Sequence, residues 1–86
     1  MKNILPKKVY YNGAEIEATK LSLSSIYDNL SDSAIFSVTL YSDNNTPLYK
    51  GEIKMMNPDY QLWNGDHDIN NSAYLWAAAI LNVTLL

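Results

Sequence analysis

The sequence predicts an α+β domain that is mainly β: a small antiparallel sheet (barrel or sandwich-like) with a short helix and a C-terminal helix. Three observations lead to this fold class. Segments of alternating polarity precede Asn57, an Asn-Gly pair marks a tight hairpin turn, and helix-like apolar spacing follows Asn57. The 86 residues have a hydrophobic content of 48%, which predicts a single domain over residues 1–86 with its own core.

The first two strands are predicted to form a hairpin around Asn12-Gly13. Asparagine and glycine favour the positive φ angles that a tight turn requires. Residues 14–18 alternate in polarity, and the apolar phase then shifts after Thr19-Lys20, as a β-bulge or a bend produces. The polar segment DNLSDS is expected to end the second strand in a turn.

The clearest hairpin is predicted in the segment AIFSVTLYSDNNTPLYKGEIKMM. Its first strand places four apolar residues on one face: Ala34, Phe36, Val38 and Leu40. Its second strand alternates apolar with charged residues: Tyr49, Ile53 and Met55 with Lys50, Glu52 and Lys54. An antiparallel hairpin with one face toward solvent is therefore expected.

Two helices are predicted in the last third of the chain. Asn57 is a favoured N-cap and Pro58 a favoured first helical residue, so NPDYQLW is expected to form a short helix. A second helix is predicted from around residues 70–72 to about Leu81, with Asn82 as its C-cap. The last segment, VTLL, is expected to be a short strand or a tail.

The second helix is apolar nearly all round, which indicates burial on both sides or contact with another chain. One stripe is expected to face the sheet: Ile69, Ala73, Trp76, Ala77 and Ile80. A second stripe is expected to remain for another surface: Tyr74, Ala78 and Leu81. Trp63 and Trp76 are favoured as packing residues. Because tyrosine and tryptophan also suit interfaces, the predicted interface residues are Tyr74, Trp76, Ile80, Leu81, Tyr41 and Tyr49.

The composition argues against several classes of function. The chain has no cysteine, so a disulfide framework and a cysteine-ligated metal are excluded. A net charge of -3, with six lysines and no arginine, argues against direct nucleic-acid binding. The longest apolar run, residues 73–81, is too short to span a bilayer, and MKNILPKKVYY does not read as an export signal. We therefore expect a protein made in the cytoplasm and not inserted in a membrane.

The segment around His67, the only histidine, raises the question of a metal or catalytic site. The pattern Asp66-x-Asp68-x-Asn70 matches the start of a calcium loop, but Ala77 stands where that loop requires a bidentate acidic ligand. The acidic groups are better interpreted as helix-capping groups. No serine lies in a Gly-x-Ser-x-Gly context, and the three glycines are isolated. We expect no catalytic residues, no metal, no cofactor and no enzymatic activity.

The C-terminal part resembles a pattern found in small virion proteins of tailed bacteriophages. The resemblance covers roughly residues 34–86, where a polar hairpin precedes an aromatic turn, an aromatic–alanine helix and a Leu-Asn-Val-Thr ending. It is carried by Tyr60, Trp63, Asp66, Trp76, Leu81, Asn82 and Thr84. It implies a virion structural protein, such as an auxiliary head, decoration, head-fibre or tail-associated subunit. Such a protein would be made in the host cytoplasm and would assemble with itself, as a homo-oligomer, or with other virion proteins.

Two other functions remain open from the residues. A small acidic inhibitor of a host protein would present carboxylates to a basic site. Its contact residues would be Glu15, Glu17, Asp28, Asp32, Asp43 and Asp59. A sugar-binding module would instead use Tyr41 and Tyr49 on a sheet face.

Overall fold

The protein folds as a four-stranded antiparallel sheet with two helices, which confirms the predicted fold class. The computed structural model describes residues 1–29, 31–63 and 71–86. Across these residues the sheet order is β1-β2-β3-β4, each strand pairing with its neighbours in sequence. The elements are β1 Lys2–Tyr11, β2 Ala14–Asp28, β3 Ser33–Tyr41, β4 Pro47–Met56, α1 Asp59–Trp63 and α2 Asn71–Leu81.

The turn between β1 and β2 is the one predicted. Asn12 has a φ of 52° and Gly13 a φ of 79°, and Tyr11 lies opposite Ala14 in the register. Positive φ at both central residues is the conformation that matches the twist of a two-residue hairpin. The pair therefore sets the register of the first hairpin.

The predicted phase shift in β2 is also present. Ala18 and Leu21 are both fully buried although they lie three residues apart along the strand. The pairing of β1 with β2 shifts register between Asn3 and Lys7, a segment that contains Pro6. Because proline has no N–H to donate to a ladder, this is a suitable place for an irregularity. The register shift is accompanied by a change in which side of β2 faces the core, so both Ala18 and Leu21 are buried.

The hairpin of β3 and β4 supplies one side of the core. The four predicted core residues of β3 are buried: Ala34, Phe36, Val38 and Leu40. In the register they lie opposite Met55, Ile53, Gly51 and Tyr49, respectively. Directly opposed residues of an antiparallel pair share a face, so the predicted inner face of β4 is confirmed.

The last residues pair with the outer edge of β1. Ile4 and Leu85 form an isolated antiparallel bridge. The amide of Leu5 donates to the Thr84 carbonyl at 2.9 Å, and the amide of Leu86 donates to the Asn3 carbonyl at 3.0 Å. The last segment, predicted as a short strand or a tail, is thus a tail that lies against the chain's own first strand and pairs with it through one bridge. In the described ranges no ladder joins β1 to β4, so the sheet is open.

The two helices differ in how well their ends were predicted. The first intrahelical bond of α1 runs from the Leu62 amide to the Pro58 carbonyl at 3.2 Å. Pro58 therefore occupies the cap, and the prediction that Asn57 caps the helix is wrong by one residue. At the C-terminal end of α2, Asn82 has a φ of 57°, and the Val83 amide donates to the Ala78 carbonyl at 2.9 Å. This is a Schellman ending, which confirms Asn82 as the C-terminal cap.

Candidate interaction surface

An aromatic cluster joins the two helices to β3. The ring of Phe36 lies 5.3 Å from that of Trp63 at an angle of 72°, and 5.5 Å from that of Trp76. Trp63 also meets Tyr60 edge-on at 5.8 Å. Edge-to-face and tilted arrangements are the favoured ones for aromatic pairs. Trp63 is buried and Trp76 is half-buried, so both tryptophans pack on the core, as the sequence predicted.

A hydrogen bond between Tyr60 and Asp28 ties α1 to the far end of β2. The Tyr60 hydroxyl donates to Oδ1 of Asp28 at 2.5 Å, and the tyrosine side chain is fully buried. Burial, the hydrogen bond to the Asp28 carboxylate and the negative charges of Asp28 and Asp32 together raise the pKa of Tyr60 to about 12. The neutral phenol is therefore the form that the fold stabilises.

The pKa of Tyr60 predicts a loss of stability in alkali. In the unfolded chain the phenol ionises near pH 10, whereas in the folded protein it stays protonated until about pH 12. The contribution of Tyr60 to the free energy of unfolding is complete below pH 10. It is lost as the pH rises to about 12, because only the unfolded state releases the proton between these pH values. Urea unfolding at a series of pH values should show this decline, and Tyr60→Phe should make it shallower. Tyr10→Phe, at an exposed position, is the control and should keep the wild-type slope; an unchanged slope in Tyr60→Phe would contradict the assignment.

Tyr74, a predicted interface residue, is instead a core residue. Its side chain is 5% exposed, and its hydroxyl accepts a hydrogen bond from the backbone amide of Leu23 at 3.2 Å. The pairing of β1 with β2 ends at Lys2 opposite Leu21, so Leu23 lies beyond the reach of β1. Tyr74 supplies the acceptor that a neighbouring strand would otherwise provide. Its predicted place on an outward-facing stripe is wrong for this reason.

The rest of α2 is also turned relative to the prediction. The buried helix residues are Ala73, Tyr74, Ala77 and Ala78. They combine members of both predicted stripes into one face, because three alanines fit close to the sheet while the bulkier Trp76 lies at its margin. Ile80, expected to face the sheet, is half exposed, and Leu81 is partly buried. Leu75, to which the sequence assigned no role, faces solvent.

These positions create an exposed apolar area, named here the helical apolar surface: Leu62, Leu75, Trp76 and Ile80. The exposed fraction is 84% for Leu62, 55% for Leu75 and 50% for Ile80. A groove of about 230 Å³ lies between the helices, lined by Met55, Asp59, Leu62, Trp63, Ser72, Leu75 and Trp76. Leu62, Leu75 and Trp76 line this groove, and Ile80 lies one helical turn after Trp76. Exposed apolar side chains beside a groove are typical of a contact site for another protein. Trp76 and Ile80 were predicted in such a role. Leu75 was missed because the nearly all-apolar α2 gives no signal of which side faces outward, and Leu62 in the short α1 was assigned no role.

The two tyrosines proposed for the sheet face do not act together. Tyr49 lies opposite Leu40, whereas Tyr41 lies opposite Lys20 and next to Leu40 along the strand. Successive residues of a strand point to opposite faces, so the two rings lie on different sides of the sheet. Tyr49 is 46% exposed and its ring lies over Gly51, where an added Cβ would be 2.6 Å from the hydroxyl. A flat aromatic platform for a sugar is not formed by this pair.

The acidic residues proposed for an inhibitor are mostly engaged within the chain. Four of the six have internal partners: Glu15 with Lys8, Asp28 with Tyr60, Asp32 with Asn29, and Asp43 with Thr19. A carboxylate that already accepts a hydrogen bond is less available to a basic partner. The arrangement does not favour the inhibitor function.

A concavity of about 420 Å³ lies between β2 and the loop after β3. Its lining residues are Ile16, Glu17, Ser42, Asp43, Asn44, Thr46 and Leu48. The Thr19 hydroxyl donates to Asp43 at 2.7 Å, and the Lys20 ammonium donates to Oδ1 of Asn45 at 2.8 Å. The Ser42 hydroxyl donates to Oδ1 of Asn44. These bonds hold the loop against β2, which gives its polar groups a structural role.

No family model, curated protein or solved structure matches this chain. The residues considered for a metal or catalytic site, Asp66, His67, Asp68 and Asn70, lie outside the described residues. Within residues 1–29, 31–63 and 71–86, no helix is long and apolar enough to cross a membrane. The helical apolar surface is therefore the strongest candidate for function in the part of the chain that the structure describes.

Proposed function

We propose that this protein is a non-catalytic structural subunit of a tailed-bacteriophage particle, acting by protein–protein assembly. The observation that carries the assembly role is the helical apolar surface, where Leu62, Leu75 and Ile80 are each at least half exposed. The assignment to a phage particle is supported by the resemblance of residues 34–86 to small virion proteins. Its partners would be other virion proteins or further copies of the same chain.

The size of the surface indicates a repeated contact. Full burial of a leucine or isoleucine side chain contributes about 1.5–3 kcal/mol, and only the exposed fractions of Leu62, Leu75 and Ile80 can be newly covered, so the three could contribute roughly 3–6 kcal/mol. Association itself costs about 4–15 kcal/mol in lost freedom of motion. For one such contact, the free energy gained by apolar burial about equals the lower end of the cost of association. Several contacts per subunit in a particle reinforce one another. This balance suits an accessory subunit bound to an ordered array.

Replacement of Leu75 by aspartate tests the surface directly. The change places a charge in an apolar contact without removing a core residue, so the chain should fold while its incorporation into particles falls at least about tenfold. Tyr10→Asp is the matched control, because it places the same charge at an exposed apolar position on β1. Copies per particle are counted by mass spectrometry of purified particles after complementation, and circular dichroism confirms folding.

The outcomes separate the two parts of the proposal. Wild-type protein that is abundant in infected-cell lysate but absent from purified particles would refute the virion role. Normal incorporation of Leu75→Asp would leave the virion role intact and refute the use of the helical apolar surface.

A further inference from the structure

Two stretches of the sheet's outer edges form no further backbone ladder within the described residues: residues 6–11 of β1 and the whole of β4, which β1 also approaches. The start of β1 is covered by residues 84–86, and the part of β2 beyond Leu21 is bonded by Tyr74 and carries a register shift between Ser25 and Tyr27. Within the described ranges, β4 makes no backbone–backbone hydrogen bond outside its ladder with β3. An uncovered edge strand is a ready template for pairing with another chain.

The side chains of β4 carry a charge pattern that complements itself. Lys50, Glu52 and Lys54 are exposed on the outer face of the strand. Tyr49 is 46% exposed and Ile53 is half-buried on the inner face. Lysines on an edge normally discourage pairing, but here an acidic residue lies between them. The pattern therefore permits pairing only in registers that place opposite charges together.

We infer that a second copy of this chain pairs antiparallel with β4, edge to edge, about a twofold axis at Gly51. In this register Lys50 lies opposite Glu52 of the second copy, and the same pair is repeated on the other side of the axis. Tyr49 lies opposite Ile53 of the second copy, so the solvent exposure of both partly exposed apolar side chains decreases. The two sheets become one continuous eight-stranded sheet with its outer faces on the same side.

Neighbouring registers are less favourable. A twofold axis at Glu52 places that carboxylate against its own copy and Lys50 against Lys54, and like charges directly opposite each other are destabilising. An axis at Ile53 pairs Glu52 with Lys54, but the strand then ends at Met56 and Tyr49 lies outside the ladder. The axis at Gly51 pairs residues 47–55 and includes both apolar contacts. Gly51 also has no Cβ, which leaves the centre of the inner face to the Tyr49 rings.

Cysteine pairs test the register, because the natural chain has no cysteine. Lys50→Cys chains are mixed with Glu52→Cys chains and oxidised, and disulfide-linked dimers are measured on non-reducing gels. Opposed Cα atoms in an antiparallel pair are about 4.5–5.5 Å apart, within the range of a disulfide, whereas diagonal neighbours are about 7–8 Å apart. The mixture should therefore cross-link about tenfold faster than either variant alone. Preferential cross-linking of Glu52→Cys with Lys54→Cys, or no preference, would overturn the inference.

Charge substitutions give a second readout by sedimentation. Lys50→Glu should weaken the dimer about tenfold, since two attractive pairs become repulsive, and Lys50→Glu combined with Glu52→Lys should restore it. Lys54→Glu makes the same change in net charge opposite Leu48 of the second copy and should have little effect. A wild-type protein that sediments as a monomer at its highest soluble concentration would overturn the inference.

This dimer does not depend on the proposed role in a virion. Leu75→Asp leaves β4 unchanged and should keep the cross-linking of the Lys50→Cys and Glu52→Cys pair. Cross-linking without incorporation into particles would refute the virion role alone, and incorporation without cross-linking would refute the β4 dimer alone.

Discussion

Replacement of Phe36 by alanine should lower the free energy of unfolding by about 3–5 kcal/mol. The ring is fully buried and contacts both tryptophans, at 5.3 Å and 5.5 Å between ring centroids. Its removal leaves a cavity where β3, α1 and α2 meet. A domain of this size has a total stability of only about 4–13 kcal/mol, so the substitution removes a large fraction of it.

Urea unfolding followed by tryptophan fluorescence measures the effect, since Trp63 and Trp76 both lie against the deleted ring. Tyr27→Ala is the matched control, because it removes an aromatic side chain that is 59% exposed on β2. The control should change the free energy of unfolding by no more than about 0.5 kcal/mol. A loss below about 1 kcal/mol in Phe36→Ala would show that the helices do not pack on β3 as described.

Replacement of Tyr74 should also be strongly destabilising, and two substitutions divide its effect. Tyr74→Ala should cost about 3–5 kcal/mol, because it removes a buried aromatic ring. Tyr74→Phe keeps the ring but deprives the Leu23 amide of its acceptor, and it should cost about 1–3 kcal/mol. Urea unfolding of both variants gives these values.

Hydrogen exchange identifies the cause of the smaller effect. In Tyr74→Phe the Leu23 amide should exchange faster relative to its neighbours, since that amide loses its bond to the hydroxyl. Tyr49→Phe, at a partly exposed tyrosine, should change neither stability nor this exchange rate. If Tyr74→Phe matched the wild type in both measurements, the role of the hydroxyl in completing the edge of β2 would be refuted.

The local features of the fold could be predicted from the sequence because short-range chemistry decides them. Asn12-Gly13 suits positive φ whatever surrounds it, and Asn82 ends α2 for the same reason. The alternation from Ala34 to Leu40 identifies one face of β3, since a strand has a strict two-residue period. The shifted start of α1 is the exception, since Asn57 and Pro58 both favour a helix start and local preference alone misplaced the cap by one residue.

The candidate surface could be predicted only in part. Trp76 and Ile80 were listed as interface residues, yet the stripe predicted to face the sheet also contained them, and Ile80 is half exposed. Tyr74 was predicted to face outward but is buried, and its burial depends on where β1 stops pairing with β2. That end point is a contact between residues distant in sequence. An apolar helix without a polar face also carries no signal of its rotation about its own axis.

The sequence by itself determined the class of the fold, the register of its first hairpin, the inner face of β3 and the end of α2, since each depends on residues close together in the chain. The tertiary structure alone decided which side of α2 faces the sheet, because three alanines and Tyr74 pack better there than Trp76 and Ile80. It also decided which parts of the sheet edges are bonded, since residues 84–86 reach the start of β1 and Tyr74 reaches Leu23 from far along the chain. Local preference acts through the backbone of neighbouring residues, whereas coverage of a surface depends on the whole chain having folded.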